Sequence, residues 1–509
     1  MKKGFSLIAI LFILVSLLSR FSGFIREQVI AAKFGTSIYA DMFYLSNALP
    51  ILVTTVIGGA IGMSFVPIVT PIIMRNDYKS AWKVLNYSAI SSSLFYLVIC
   101  TIIYLKLDVL IELLAPGFNL EQIKQVKQII VILLPSMMFL GSYHIYASWL
   151  SVHRHFNITV LAPLWLNITV VVSMLSWGSS SSVIILAWST LLGTFLQFIS
   201  VFLYSFRKQF NPSIQFDSEV SVLKELYLLS IPIMIIYLFN NIYLFTDKYF
   251  ASSLEEGSIA ALNYALKIIQ LPVGVFVMAV ATIAFPSLSR TIAINDDEEL
   301  SNILNSGLTL MSFFVLPCII LFGIYNKEII QLAFERGTFG KKATLMTSEA
   351  LFYYTLGLFG ISGSTILMRV FFALKKMRLT LIVSFFTATL NIVLAIILSE
   401  FFQYKGLALA NSIAMNLNFL ILLLSMRRTL PNIKFNVFSV DIKKLTICSL
   451  FYFCVLLLLD ETFNTSVNWF IFKILLVTII FYLIPTYLVK VSEIEALISN
   501  VLKKMKRLG

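Results

Sequence analysis

"SRFSGFIREQVIAAKFGTSIYADMFYLSNALP", residues 19–50, carries two arginines and a glutamate through an apolar run, halts at Gly35, and opens a second apolar run that meets a proline. The first run begins near residue 5 and ends near 32, and about 20 mostly apolar residues suffice to cross the hydrocarbon core of a bilayer. Arg20, Arg26 and Glu27 therefore lie where charge is costly.

The rest of the chain is of the same kind. Of 509 residues, 59% are hydrophobic and 12% charged, with 44 Phe, whereas a soluble domain is about one-quarter charged. Fourteen apolar runs could span a membrane, near 5–32, 41–73, 82–105, 128–150, 157–177, 182–205, 226–248, 259–288, 304–325, 346–373, 378–399, 404–426, 443–459 and 467–489. The expected fold is an all-α polytopic membrane protein with fourteen transmembrane helices. The first run is too long for a cleaved signal peptide and is expected to remain as helix one. Cys100, Cys318, Cys448 and Cys454 lie in or beside apolar runs with no metal-like spacing, and they read as small core residues.

Lys and Arg fall roughly two to one on the side that holds both termini, which makes that side cytoplasmic. The net charge of +13 is then a positive-inside signal on an anionic leaflet, and no nucleic-acid partner is needed to explain it.

A shift of 222 residues superposes Arg26 on Lys248, Gly35 on Gly257, Asp41 on Asn263 and Leu49-Pro50 on Leu271-Pro272. Both copies run on to a second proline, Pro67 and Pro286, with a slipped register. This repeat predicts two six-helix lobes around a central cavity, 1–208 (helices 1–6) and 209–428 (helices 7–12), followed by 429–509 with helices 13 and 14 and a basic cytoplasmic tail. Lobes of this kind recur in transporters, with substrate between them.

Five cations fall within apolar runs: Arg20, Arg26, Lys267, Arg369 and Lys473. Arg369 and Lys473 are near enough to helix ends to snorkel. Arg20 is about 22 Å from Phe5 along a helix at 1.5 Å per residue, so it needs a carboxylate brace or an anion. Glu27, seven residues on, shares its face, while Arg26 lies about 120° away. Lys267 in "NYALKIIQLPVG" would add a charge from the second half, giving a cationic site suited to phosphate, or else pair with Asp41 or Asp247. Asp41 has two readings, a functional group or a helix-start carboxylate on the helix dipole. Asp247 is a coupling-ion ligand or a partner of Lys248.

The opening stretch resembles the helix one to helix two signature of the MurJ-type (MviN) lipid II flippases, in the multidrug, oligosaccharidyl-lipid and polysaccharide exporter superfamily. Further similar stretches follow in order: "LLAPGF" at 113–118, "HRHFNITVLAPLWLNI" at 153–168, "DKYFASSLEEGSIAALNYALKIIQLPVGVFVMAVATIAFPSLSR" at 247–290, "FERGTF" at 334–339, "RVFFALKKMRLT" at 369–380 and "GLALANSI" at 406–413. The resemblance implies a bacterial inner-membrane protein with a lipid-tail groove at helices 13 and 14. It further implies alternating access that carries an undecaprenyl-pyrophosphate-linked saccharide outward. Its partners would be that lipid-linked saccharide, membrane lipids and cell-wall synthesis proteins. Arg20, Arg26 and Asp41 match basic and acidic positions of the family, and Lys267 stands where Arg is common.

The departures are specific. Leu266 replaces an Asp, and "PILVTTVIGGAIG" offers Thr54 and Thr55 where paired arginines and a Glu are common. The resemblance also raises coupling to membrane potential or sodium, with Asp247 and Asn391 as metal ligands, but "NIVLAIIL" lacks an Asp one turn after Asn391. No other cofactor is expected. Another polyprenyl-linked glycan (capsule, exopolysaccharide or O-antigen) is the alternative cargo. A glycan polymerase would need a long outer loop with catalytic groups, and none is visible, so the chain is not expected to be an enzyme. A cation or multidrug antiporter would need an acidic cavity, and these cations have the opposite sign.

Overall fold

The computed structural model describes residues 2–153, 155–177, 183–206, 220–278, 296–374, 376–430, 440–459 and 467–495, with 280, 288, 291–292 and 294. Pro286, Arg207, Lys208 and the basic tail beyond 495 lie outside the described residues. Among the described residues the chain is helical and has no strand.

Among the described residues twelve helices are long and apolar enough to cross a membrane, thirteen with one bent pair. The 33-residue helix Lys2–Phe34 brings the architecture into line with the fourteen apolar runs. In chain order the long helices are α1 (Lys2–Phe34), α2 (Ile38–Met74), α3 (Tyr78–Leu105), α4 (Leu120–Val152), α5 (Phe156–Trp177), α6 (Val183–Phe206) and α7 (Val220–Ala251). They continue with α8 (Ser258–Val277), α9 (Asp297–Ile324), α10 (Lys341–Thr355 with Leu358–Ala373), α11 (Met377–Phe402), α12 (Tyr404–Thr429), α13 (Val440–Leu459) and α14 (Phe470–Leu488).

The surface logic is that of a bilayer. Outward faces carry Leu94, Val172 and Trp188, all exposed, while Ser and Thr turn inward. Ser46 and Thr355 return their hydroxyls to the carbonyls of Met42 and Leu351 at 2.7 Å, which satisfies those groups within their own helices. Between α2 and α3, Asp77 accepts the Ser80 N–H, and those hydrogen bonds hold its carboxyl below the usual carboxylate range.

The repeat has a backbone counterpart. α1 is followed by Gly35 at φ 57°, α7 by Gly257 at φ 91°, both left-handed. The next span in each copy reaches a proline, Pro50 or Pro272, and then a π-helical turn, Thr54–Gly58 or Val273–Val277. Proline removes one rung of the i to i−4 ladder, and a wide turn absorbs the mismatch. Thr54, which stands where charged residues are common in the family it resembles, is buried and donates to the Pro50 carbonyl at 2.7 Å.

The apolar run at 346–373 is not one straight helix. α10 bends by 49° between Thr355 and Leu358. Gly357 lets the Cα of Ser412 approach closely, Ser412 Oγ donates to the Tyr353 carbonyl at 2.6 Å, and Asn416 donates to that of Leu356 at 2.8 Å. Polar groups on α12 thus take the carbonyls that the break releases.

The chain forms two compact units. The first comprises 1–264, 334–343 and 392–407; its core is built on Phe65, Trp82 and Trp149, the two indoles 4.3 Å apart. The second comprises 265–333, 344–391 and 408–509. There α13 and α14 are tied to α9: Tyr482 donates to the Phe313 carbonyl at 2.7 Å, and the Tyr452 and Thr478 hydroxyls are 2.7 Å apart.

Candidate functional site

α1 is held in place by α5 beside its charged stretch. Asn167, from the "HRHFNITVLAPLWLNI" stretch, donates to Ser22 Oγ at 2.7 Å, and Ser22 donates to the Ser19 carbonyl. Gly23 lies against the Asn167 amide. This contact fixes the rotation of α1 between its two arginines.

Those arginines then differ. Arg20 is exposed and, among the described residues, has neither a carboxylate nor a hydrogen-bond partner. The brace considered for it is absent from that set. Arg26, not Arg20, reaches Glu27: its Nη2 is 2.7 Å from Oε1 of the adjacent residue. Glu27 is buried and also accepts from the Tyr44 hydroxyl at 2.8 Å, which joins α1 to α2. Arg26 Nε is buried with no hydrogen-bond partner among the described residues, so the pair leaves part of that guanidinium unsatisfied.

Asp41 corrects its sequence reading. Its Oδ2 accepts the Gly257 N–H and its Oδ1 the Ala260 N–H, each at 2.7 Å, and the residue is 2% exposed. Both oxygens are taken by the N-terminus of α8, where a carboxylate meets the positive end of the helix dipole. It caps a helix, but not its own, and both of its oxygens are engaged there. The exchange is mutual, because Glu256 Oε1 accepts the Ile38 N–H at 2.9 Å and so caps α2.

Segment 334–339, "FERGTF", completes this assembly. Thr338 N donates to the Ala32 carbonyl at 2.9 Å, and Tyr264 donates to that of Gly35 at 3.1 Å. Phe334 and Phe339 lie 5.2 and 5.5 Å from the Tyr264 ring, and Phe334 lies 5.7 Å from Phe24. Lys342 pairs with Glu255 at 2.7 Å. Gly35, Gly257 and Gly337, all at positive φ, face Thr338, Thr36 and Ala32 so closely that a Cβ on any of them would fall within 3 Å of a backbone oxygen. Sequence reasoning missed Tyr44, Tyr264 and this interlock; the paired Gly35 and Gly257 of the repeat were the available signal.

The remaining candidates are placed as follows. Lys267 is half-buried on α8, in the second unit. Asp247 is buried on α7, one helical turn after Tyr243. Asn391 on α11 is 1% exposed with both amide atoms unbonded, and Ala395, one turn on, is buried. Among the described residues no group of three His, Cys, Asp or Glu is placed to hold a metal ion. Arg369, expected to snorkel, is half-buried and contacts Met278 Sδ at 3.4 Å.

Comparison with known proteins is consistent along the chain. The family profile described as lipid II flippase MurJ matches residues 30–479. The lipid II flippase MurJ of Thermosipho africanus is 29% identical over 482 residues, 94% of this chain and 95% of that protein. The probable lipid II flippase MurJ of Buchnera aphidicola subsp. Schizaphis graminum is 29% identical over 421 residues, 80% of each chain. A solved lipid II flippase MurJ in an inward closed conformation superposes with TM-score 0.81 at 27% identity, covering 94% of this chain and 99% of that one. An inward-facing multidrug resistance MATE family transporter superposes at 0.71 with 14% identity, over 83% and 98%, and shares the fold alone. With the profile spanning most of its length, the chain belongs to the lipid II flippase MurJ family.

Proposed function

We propose that the chain carries lipid II, an undecaprenyl-pyrophosphate-linked saccharide, from the inner to the outer leaflet of the bacterial cytoplasmic membrane by alternating access. The observation that carries this reading is Arg20, an exposed guanidinium in the middle of a 33-residue apolar helix with no protein partner among the described residues. An unpaired arginine at that depth is costly, and a passing pyrophosphate supplies the missing charge. Guanidinium offers two parallel donors to phosphate oxygens and stays ionised at any physiological pH. Arg26 adds its unbonded Nε, while Lys267 rests on the family resemblance. The chain acts as a transporter rather than an enzyme. Native mass spectrometry of the purified protein is expected to find an undecaprenyl-pyrophosphate lipid bound, and the mass of its glycan separates lipid II from a capsule or exopolysaccharide unit. Retention of cationic drugs without such a lipid would sink the proposal.

Both termini are proposed to be cytoplasmic, which puts segment 334–339 outside. Thr338 is exposed. A Thr338→Cys variant should therefore react with a membrane-impermeant maleimide in intact cells or spheroplasts, whereas cysteine at Lys376 should not. The reverse labelling pattern inverts the orientation.

Coupling is proposed to rest on the membrane potential rather than on sodium, because Ala395 stands where a further carboxylate ligand would be needed. Replacing sodium by potassium in the medium, at constant potential, is expected to change export of the lipid-linked precursor by less than about two-fold, well under 1 kcal/mol. A ten-fold loss would restore a sodium site.

A further inference from the structure

The start of α11 carries a feature that pyrophosphate transport does not use. A groove of about 690 Å³ opens there against the last turns of α12, lined by Lys376, Arg378, Leu379, Ile382, Ile421 and Ser425. Lys376 and Arg378 are exposed and, among the described residues, neither has an ion-pair partner. The Ser425 hydroxyl makes no hydrogen bond among the described residues, whereas that of Thr365 on α10 returns to the Ile361 carbonyl. Beyond these three polar groups the walls are apolar, and apolar exposure continues along both helices, with Ile382 at 65% and Leu424 at 57%.

The chemistry of the occupant follows from that layout. Two cations and a free hydroxyl at one end ask for a phosphate, and apolar walls running down two membrane-crossing helices ask for hydrocarbon. A soluble anion would satisfy only the first, and a neutral hydrocarbon only the second. The lining has no carboxylate to pair with a choline or ethanolamine head, so a lipid of net negative charge is preferred over a zwitterion. The Lys and Arg count places this turn on the cytoplasmic side, where anionic lipids are concentrated and where basic pockets between membrane helices bind their headgroups. We infer that the groove binds an anionic glycerophospholipid, its phosphate held by Lys376, Arg378 and Ser425 and an acyl chain lying along Ile382 and Ile421.

The test is native mass spectrometry of the delipidated full chain, titrated with phosphatidylglycerol or phosphatidylcholine. Phosphatidylglycerol is expected to bind at least ten-fold more tightly. Each cation near an anionic lipid contributes about five-fold, so a Lys376→Ala/Arg378→Ala variant should lose about 25-fold in phosphatidylglycerol affinity and approach the phosphatidylcholine value. Ile382→Trp, which fills the groove and leaves the charges alone, should also weaken phosphatidylglycerol. Arg20→Ala should bind it as the parent does, which keeps this site distinct from the proposed transport site. Equal affinity for the two lipids, or a double variant that binds phosphatidylglycerol like the parent, overturns the inference. So does displacement of the lipid by inorganic phosphate, which would mark a plain anion site. If the double variant does not fold, the Ile382→Trp titration and the phosphate competition decide.

Discussion

Alanine in place of Arg20 is expected to leave the protein at normal abundance in the membrane and to abolish export of the lipid-linked precursor in cells that depend on this gene. The two halves of that expectation have separate physical causes. Abundance should hold because Arg20 has no protein partner among the described residues, so its removal strands no buried counter-charge and can only reduce the insertion cost of α1. Export should fail because a charge-assisted hydrogen bond contributes roughly 1.5–3 kcal/mol, and a bidentate arginine forms two of them with a phosphate. Losing both weakens the grip by more than about 100-fold. Arg20→Lys keeps the charge without the fork and should retain partial export. Normal abundance with normal export in Arg20→Ala would remove the pyrophosphate reading. Arg26→Ala should behave differently, because it removes the ion pair to buried Glu27, and a drop in abundance is expected there.

The second large effect is expected at Gly257. Its φ of 91° is strained for any L side chain, at about 1–3 kcal/mol. An added Cβ would also fall 2.2 Å from the Thr36 carbonyl oxygen, a backbone atom that cannot swing away. Gly257→Ala must therefore shift the α8 N-terminus from the α1–α2 turn and stretch the Asp41 hydrogen bonds to Gly257 and Ala260. Against a typical net stability of about 5–15 kcal/mol, such a loss should lower membrane abundance several-fold and make the region around 334–339 more sensitive to protease. Asp41→Asn is the milder probe, since its amide keeps one acceptor oxygen but loses the charge at the helix end. Parental abundance and protease resistance in Gly257→Ala would show that this interlock contributes little.

Much of the fold was legible because the bilayer imposes a length and a composition on every span, and the fourteen apolar runs correspond closely to helices. The left-handed glycines were half visible, since Gly35 and Gly257 coincide in the repeat. The role of Asp41 was not, because its partners are backbone N–H groups 216 and 219 residues away, which carry no side-chain signature. The bend in α10 was hidden for a similar reason: the hydroxyl and amide that stabilise it come from α12. For Arg20 and Arg26, residue type and depth marked both arginines alike. Only the geometry separates the one paired to Glu27 from the one with no described partner.

The Arg26–Glu27 pair has an electrical consequence. Two adjacent opposite charges cancel at long range, so on the proposed function the central part of α1 presents one net positive charge to a pyrophosphate that carries more than one negative. The loaded carrier then stays anionic at its centre, and moving it outward runs with an interior-negative potential at about 2.3 kcal/mol per elementary charge per 100 mV. Neutralising Glu27 would unmask a second cation, shrink the charge that crosses the field, and make export less sensitive to voltage.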